Sequence, residues 1–339
     1  MTGCGRLPVV YAPEADERLS SWIARMAPFY AMTVSEFVAT LGLKGHDVFD
    51  LERRLSEGQG ALIAARTGLS PEAVQAMTFR EFGPQARMMI ARKSRYYCPY
   101  CPEEPQRKST ALPWRFLCPV HGVEFRDATG ETLSDRFGTD CFKKLEGHAE
   151  VGAAHLDAWA RSAGQGDLEA PEVLQLLTVR HRRASPPNVS EQPRMSLKDR
   201  RDYHDFLTTP IIRQALTVVV PEYDQVAPVL AKPVRPGLHA LAQGSLLQCF
   251  ALTVGIGRII EDPVKWAISV MLVSDAEGQG RVRQAIGPWP LSLRRSISAR
   301  FWRAERDERA RQSAENAARQ RQSHKLRLIQ SHKYRYRIS

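Results

Sequence analysis

Cys98 and Cys101, then Cys118 and His121, form two close ligand pairs: C-x2-C, sixteen intervening residues, then C-x2-H. Pairs so spaced are the signature of a metal site built from two tight turns. Three thiolates and one imidazole complete a tetrahedral shell around Zn2+ and leave no position open for a substrate. The set therefore predicts one structural zinc that staples a fold, not a catalytic centre. Pro99, Pro102, Pro119 and Gly122 suit the turns that aim the ligands. The competing reading is four unrelated residues that meet the spacing by chance.

Other chemistry is thinly represented. Cys141, His148 and His155 match no common metal spacing, and on a helix the two histidines would lie two turns apart. They read as ordinary core or surface residues. Asp127 and Asp135 flank the zinc unit without forming the acidic cluster of a two-metal nuclease. No G-x-x-x-x-G-K-[ST], G-x-S-x-G or H-E-x-x-H occurs. The chain reads as a non-enzyme, and a zinc-dependent nuclease is the weakest of the alternatives.

Charge points to a partner. The net charge is +11, and fourteen basic against four acidic residues place +10 of it in 291–339. Such a segment suits phosphate neutralisation with counterion release, although a solvated helix or an unpartnered arm has the same composition. Candidate nucleic-acid contacts in the tail are Arg294, Arg295, Arg300 and Arg303. Around the zinc ligands, Arg92, Lys93, Arg95, Arg107, Lys108 and Arg115 are interleaved with Tyr96, Tyr97 and Trp114. Bases among aromatics suit backbone contact and stacking. Trp114 and Phe116 read better as the small core that a zinc ribbon needs. The longest apolar stretch, 246–260, is interrupted by Gln248, Gly255, Gly257 and Arg258, so no membrane span is expected. The isolated Cys4, Cys141 and Cys249 fit a reducing compartment.

The elements that position these residues read as mainly α. A helical N-terminal region (1–90) is expected to carry an inserted or appended small zinc ribbon (91–130). A helical region (131–185), a linker (186–202), a helical C-terminal domain (203–290) and a basic helical tail (291–339) follow. Leu19, Trp22, Ile23, Met26 and Ala27 recur at helical spacing over 16–30, with Asp16 as N-cap. Thr33 or Ser35 can cap a second helix that ends near Gly42. A third spans about 51–67, broken near Gly58 to Gly60. Ser70-Pro71-Glu72 is a strong helix start. The stretch 61–74, turning at Gly68-Leu69, resembles a helix-turn-helix, though an ordinary helix corner has the same pattern. Its second helix is poor in bases, with Glu72, Gln75 and Arg80 as its main polar groups. Gly287-Pro288-Trp289-Pro290 is a stiff turn before the tail. The tail has helical composition, with Glu305 to Arg309 and Asp307 to Arg311 as i,i+4 pairs. Beyond Phe301 and Trp302 it is polar all round, so it is marginal alone and suited to ordering on a partner.

Two blocks together resemble the TniQ family, TnsD-like proteins included. Asp16-Glu17-Arg18-Leu19-Ser20-Ser21-Trp22-Ile23-Ala24-Arg25-Met26-Ala27 is similar to that family's opening helix. Cys98-Pro99-Tyr100-Cys101, Trp114-Arg115 and Cys118-Pro119-Val120-His121-Gly122 are similar to its zinc finger. The resemblance covers about 10–126. It implies a non-enzymatic, DNA-binding subunit of a transposition system that selects the target site and recruits an AAA+ regulator and the transposase complex. Zinc ligation carries over to Cys98, Cys101, Cys118 and His121, and no catalytic residue carries over. An RNA-guided effector complex is a further implied partner, a homodimer is left open, and a cytoplasmic, nucleoid-associated location is expected. Relatives with a second C-x2-C soon after the Cys-Pro-x-His-Gly motif differ from this chain, where the next cysteine is Cys141. The alternative is a protein-interaction adaptor that docks on an AAA+ ATPase or an RNA-guided complex with little direct reading of DNA.

Overall fold

The computed structural model describes residues 5–102, 105–162, 167–183, 212–226 and 236–335. Within them the fold is mainly helical, in agreement with the patterning. The linker at 186–202 and Cys4 lie outside the described residues.

Five helices make the first layer: α1 (Leu19–Phe29), α2 (Val34–Thr40), α3 (Val48–Arg54), α4 (Glu57–Thr67) and α5 (Pro71–Ala76). The apolar stripe of α1 buries Leu19, Trp22, Ile23 and Met26 completely, against Phe37, Val38, Leu51, Leu55, Ile63 and Val74. Local capping chemistry sets the starts. Thr33 and Glu36 form a capping box, and the Ser70 hydroxyl accepts the Ala73 N–H at 3.1 Å. Two local expectations are corrected. Asp16 does not cap α1, whose N-cap is Arg18 without a side-chain bond. The Asp16 carboxylate instead accepts the Ser109 N–H at 3.0 Å. The third helix breaks at Leu55, not at Gly58 to Gly60, because Ser56 and Gln59 form a capping box that starts α4 with both glycines inside it.

The second apolar core runs from Phe79 to Phe301 and takes in side chains of the Cys98–His121 segment and of the C-terminal helices alike. Its elements are α6 (Pro84–Met89), a 3-10 turn (Ser109–Ala111), α7 (Leu133–Phe137), α8 (Thr139–Ala160) and α9 (Ala170–Leu177). They continue with β1 (Arg180–Arg183), β2 (Ile212–Gln214), α10 (Leu216–Val219), α11 (Pro221–Val226) and α12 (Leu238–Gln243). The series ends with α13 (Leu246–Glu261), α14 (Pro263–Val273), α15 (Ala276–Ala285) and α16 (Leu291–Arg335). The antiparallel pair β1–β2 falls where helix was expected. Its register pairs Arg180 with Gln214, and the Ala215 N–H closes it on the Val179 carbonyl.

α8 and α13 meet backbone to backbone. A Cβ on Gly152 would sit 2.0 Å from the Thr253 carbonyl oxygen, and one on Gly257 would sit 2.0 Å from that of His148. Only glycine permits this approach. Gly152→Val is therefore expected to force the two helices apart and to cost about 1–3 kcal/mol or more. A urea midpoint equal to that of the parent chain would contradict this packing.

α16 docks through its first turns. Ile297 and Phe301 are buried, and this part of the helix packs on α14. The helix continues to Arg335, within the helical tail expected at 291–339, and the Glu305–Arg309 pair forms at 2.7 Å. No helix among the described residues is long and apolar enough to cross a membrane.

Candidate metal centre

Two knuckles carry the four ligands. Tyr97 pairs with Arg126 through both backbone hydrogen bonds, which sets the entry to Cys98-Pro99-Tyr100-Cys101. The second knuckle is a hairpin. The Cys118 N–H donates to the Val123 carbonyl, the Phe125 N–H donates to that of Phe116, and Gly122 adopts φ +66 to close the turn. Trp114 and Phe125 are buried behind the ligands, so Trp114 belongs to the core.

The ligand atoms converge. Cys98 Sγ, Cys101 Sγ, Cys118 Sγ and one ring nitrogen of His121 all lie within 4.8 Å of one another. His121 Nδ1 is 3.6 Å from Cys98 Sγ, 3.3 Å from Cys101 Sγ and 3.7 Å from Cys118 Sγ, and the Cys101 and Cys118 sulfurs are 3.7 Å apart. A tetrahedral ion with metal–sulfur bonds of about 2.3 Å needs ligand–ligand edges of roughly 3.8 Å. The donor set and these edges fit one metal ion. Among the described residues no other group of His, Cys, Asp and Glu converges in this way.

The knuckle backbone also prepares one ligand, Cys118, whereas burial and the neighbouring Cys118 and Cys98 push the Cys101 thiol up to about 12. Burial opposes ionisation of Cys118. The backbone N–H groups of His121 and Val120, with the His121 ring and Cys101, outweigh it and lower the pKa to about 7. N–H groups aimed at a sulfur stabilise the thiolate, the form that ligates.

Neighbours hold the unit in place from two sides. On one side, the lead into α1 grips the loop before the 3-10 turn. The Arg18 N–H donates to the Gln106 carbonyl, the Gln106 N–H to Ser21 Oγ at 2.7 Å, and the Lys108 N–H to the Asp16 carbonyl. Arg107 donates to the Ala15 carbonyl and pairs with Glu14 at 2.8 Å. Glu17 pairs with Arg25 at 2.8 Å. The acidic opening of the 16–27 block thus serves as a clamp on the metal-bearing segment. On the other side, Trp114 Nε1–H donates to Asp157 Oδ1 at 2.7 Å, and Arg115 pairs with the second oxygen. This carboxylate anchors the Trp114-Arg115 block to α8. Asp157→Ala would strand the buried indole N–H, which is expected to cost about 1–3 kcal/mol. Asp157→Asn, which keeps an acceptor, is expected to cost less. Chemical denaturation of both variants, with metal content checked, would measure the difference.

The nucleic-acid candidates separate by placement. Arg107 is buried, and its donors serve Glu14 and Ala15. Arg95 donates to the Leu241 and Ala242 carbonyls, and Lys108 to the Ala76 carbonyl at 3.0 Å and to Glu81. Arg115 holds Asp157. These four are engaged by other groups of the protein. Arg92 pairs with Asp47 at 2.7 Å but keeps its side chain 70 % exposed, and Lys93 is exposed. In the tail, Arg294 is half-buried, whereas Arg295, Arg300 and Arg303 are exposed.

The helix-turn-helix segment has the expected left-handed turn, with Gly68 at φ +73. Its second helix, α5, has only six residues, about 9 Å of helix. The Arg6 guanidinium also lies over the turn, where a Cβ on Gly68 would sit 1.8 Å from Arg6 Nη2. Arg80 lies beyond α5 and pairs with Glu57 at 2.7 Å. Cys141, His148 and His155 do not converge on a shared site. His148 instead pairs with Glu261 at 3.0 Å.

Sequence reasoning passed over Asp157 and over Glu52, the buried ion-pair partner of Arg18. Each is a single acid inside a helix with no local pattern, and only its partner far along the chain gives it a role. A basic Arg18 in an otherwise apolar stripe was the one available hint of Glu52.

Comparison with known proteins adds one result. Residues 8–125 match the family model described as TniQ, and the match includes both the clamp and all four ligands. Neither the comparison with curated proteins nor that with solved structures finds a match.

Proposed function

With residues 8–125 assigned to the TniQ family, we propose that the chain is a zinc-containing, non-enzymatic DNA-binding subunit of a transposition system. In this reading it selects the target site and recruits an AAA+ regulator and, through it, the transposase. The observation that carries it is the family match over a four-ligand cluster with the donor set of a structural zinc site. Zinc at Cys98, Cys101, Cys118 and His121 would hold the two knuckles together and leave no site for substrate. DNA contact would come from exposed bases: Arg92, Lys93, Arg295, Arg300 and Arg303. Phosphate contacts of this kind supply affinity and carry little sequence information.

The full chain is expected to bind duplex DNA with an affinity that falls steeply with salt, by about one log unit per log unit of salt for each phosphate neutralised. Fluorescence anisotropy between 50 and 300 mM salt, roughly the range over which such losses develop, would measure the slope. A slope near zero would remove the support for DNA contact.

One finding favours the adaptor reading. α5 is short and acidic at its start, and Arg95, Arg107, Arg115 and Lys108 are used internally, so the N-terminal half offers few groups to a groove. A truncation that removes 303–339 and keeps the buried Ile297 and Phe301 separates the two. DNA binding that survives points to the N-terminal module. DNA binding that disappears while an AAA+ partner is still bound favours an adaptor body with a DNA-binding tail.

A further inference from the structure

α16 has two opposite faces beyond its start. Ile297 and Phe301 point into the core. At 3.6 residues per turn, positions 295, 302, 306 and 309 fall within about 60° of one another on the other side. That side presents Arg295, Trp302 and Arg306 to solvent, with Arg303 at its margin. Trp302 is 61 % exposed, whereas Trp22, Trp114 and Trp289 are almost completely buried. A large indole left outside on a polar helix has lost the burial that would normally hold it in place. Its ring meets that of Phe301 at a tilt of 63°, with centroids 5.9 Å apart, and most of its surface is open. Two of the charges around it are unpaired. Arg295 and Arg303 have no acidic partner among the described residues, Arg306 lies 3.9 Å from Asp307, and Arg309 pairs with Glu305.

We propose that this face is a platform for unpaired nucleic-acid bases, on which Trp302 stacks with a base while Arg295, Arg303 and Arg306 hold the flanking phosphates. The proposal rests on the DNA-binding reading above and names the form of nucleic acid that the tail takes. Charge complementarity selects a polyanion. The exposed indole then selects one with accessible base faces, because stacking needs a base that is not already sandwiched in a duplex. Distorted, mispaired or single-stranded DNA provides this, and an intact duplex does not. Arginines alone would serve either form.

The test uses the full zinc-loaded chain with a labelled single-stranded oligonucleotide and a blunt duplex of the same length. Trp302→Ala is expected to weaken single-strand binding about tenfold and to leave duplex binding nearly unchanged. Trp302→Phe is expected to restore most of the loss, since a phenyl ring also stacks. The double change Arg295→Gln and Arg306→Gln is expected to weaken both ligands and to flatten the salt slope by one to two, roughly one per lost phosphate contact. Unchanged single-strand binding by Trp302→Ala, or equal losses on both ligands, would overturn the platform. So would a change of oligomeric state in Trp302→Ala without DNA, which would assign the face to a second copy of the chain. If the parent chain binds duplex in a salt-dependent way and Trp302→Ala changes nothing, the platform fails and the DNA-binding reading stands. If the parent chain binds neither ligand, both fail.

Discussion

Removal of the metal from the Cys98, Cys101, Cys118 and His121 site is expected to unfold the two knuckles and to loosen the core beyond them. Cys98 and Cys118 are themselves core residues, packed in one cluster with Trp114, Phe116 and Phe125, and that cluster continues through Phe250 to the C-terminal helices. Without the ion, three thiols and an imidazole would be held together with little to bind them. The isolated bridges Tyr97–Arg126 and Leu117–Glu124 are too short to hold the hairpin alone. Structural zinc in small units contributes about 10–16 kcal/mol of apparent binding free energy, much of which appears as folding free energy. Chelation, or Cys118→Ser, is therefore expected to reduce the near-ultraviolet aromatic signal, to which Trp114 contributes, and to lower the melting temperature strongly. Mass spectrometry before treatment is expected to find one zinc per chain. A melting curve unchanged after demonstrated loss of the metal would refute the stapling role.

The second large effect is expected at Glu52. Its side chain and that of Arg18 are both fully buried, 2.6 Å apart. Arg18 donates through Nε and Nη2 to Oε1, and the Ser20 N–H and hydroxyl donate to Oε2. The guanidinium lies about 6 Å from the rings of Phe49 and Phe79. Glu52→Ala would leave a buried cation without its counter-charge, which costs about 3–5 kcal/mol. Arg18→Met with Glu52→Leu removes both charges and keeps much of the volume, so it is expected to cost clearly less than Glu52→Ala alone. Urea denaturation of the three chains would reveal this inversion. A double variant less stable than the single one would mean that packing, not charge compensation, governs the site.

These effects explain how far sequence reasoning reaches in this chain. Ser70, Thr33 and the four metal ligands act through neighbours three to twenty-three positions away, so residue type and spacing reveal them. Trp114 was legible as core because a zinc ribbon has little else to bury. The failures are tertiary. Asp16 has a capping residue's chemistry, but the Ser109 N–H competes for its carboxylate. Gly152 and Gly257 look like weak points in two helices until the helices are laid across each other. Arg107 and Lys108 looked like a basic patch because the acids that neutralise them, Glu14 and Glu81, lie elsewhere in the chain. Composition predicted helix at 180–183, where a pairing with 212–214 decides otherwise. In the tail, the alternation of buried Phe301 with exposed Trp302 became meaningful only once the docked face of α16 was known.

The proposed role is that of a metal-stapled, non-catalytic body that selects a DNA target. Footprinting of the zinc-loaded full chain on genomic fragments against random-sequence DNA tests it most directly. The account predicts protection at discrete genomic sites, at salt concentrations where random DNA is no longer protected, without strand cleavage. Absence of protection on either DNA at low salt, or cleavage that depends on the bound metal, would contradict it.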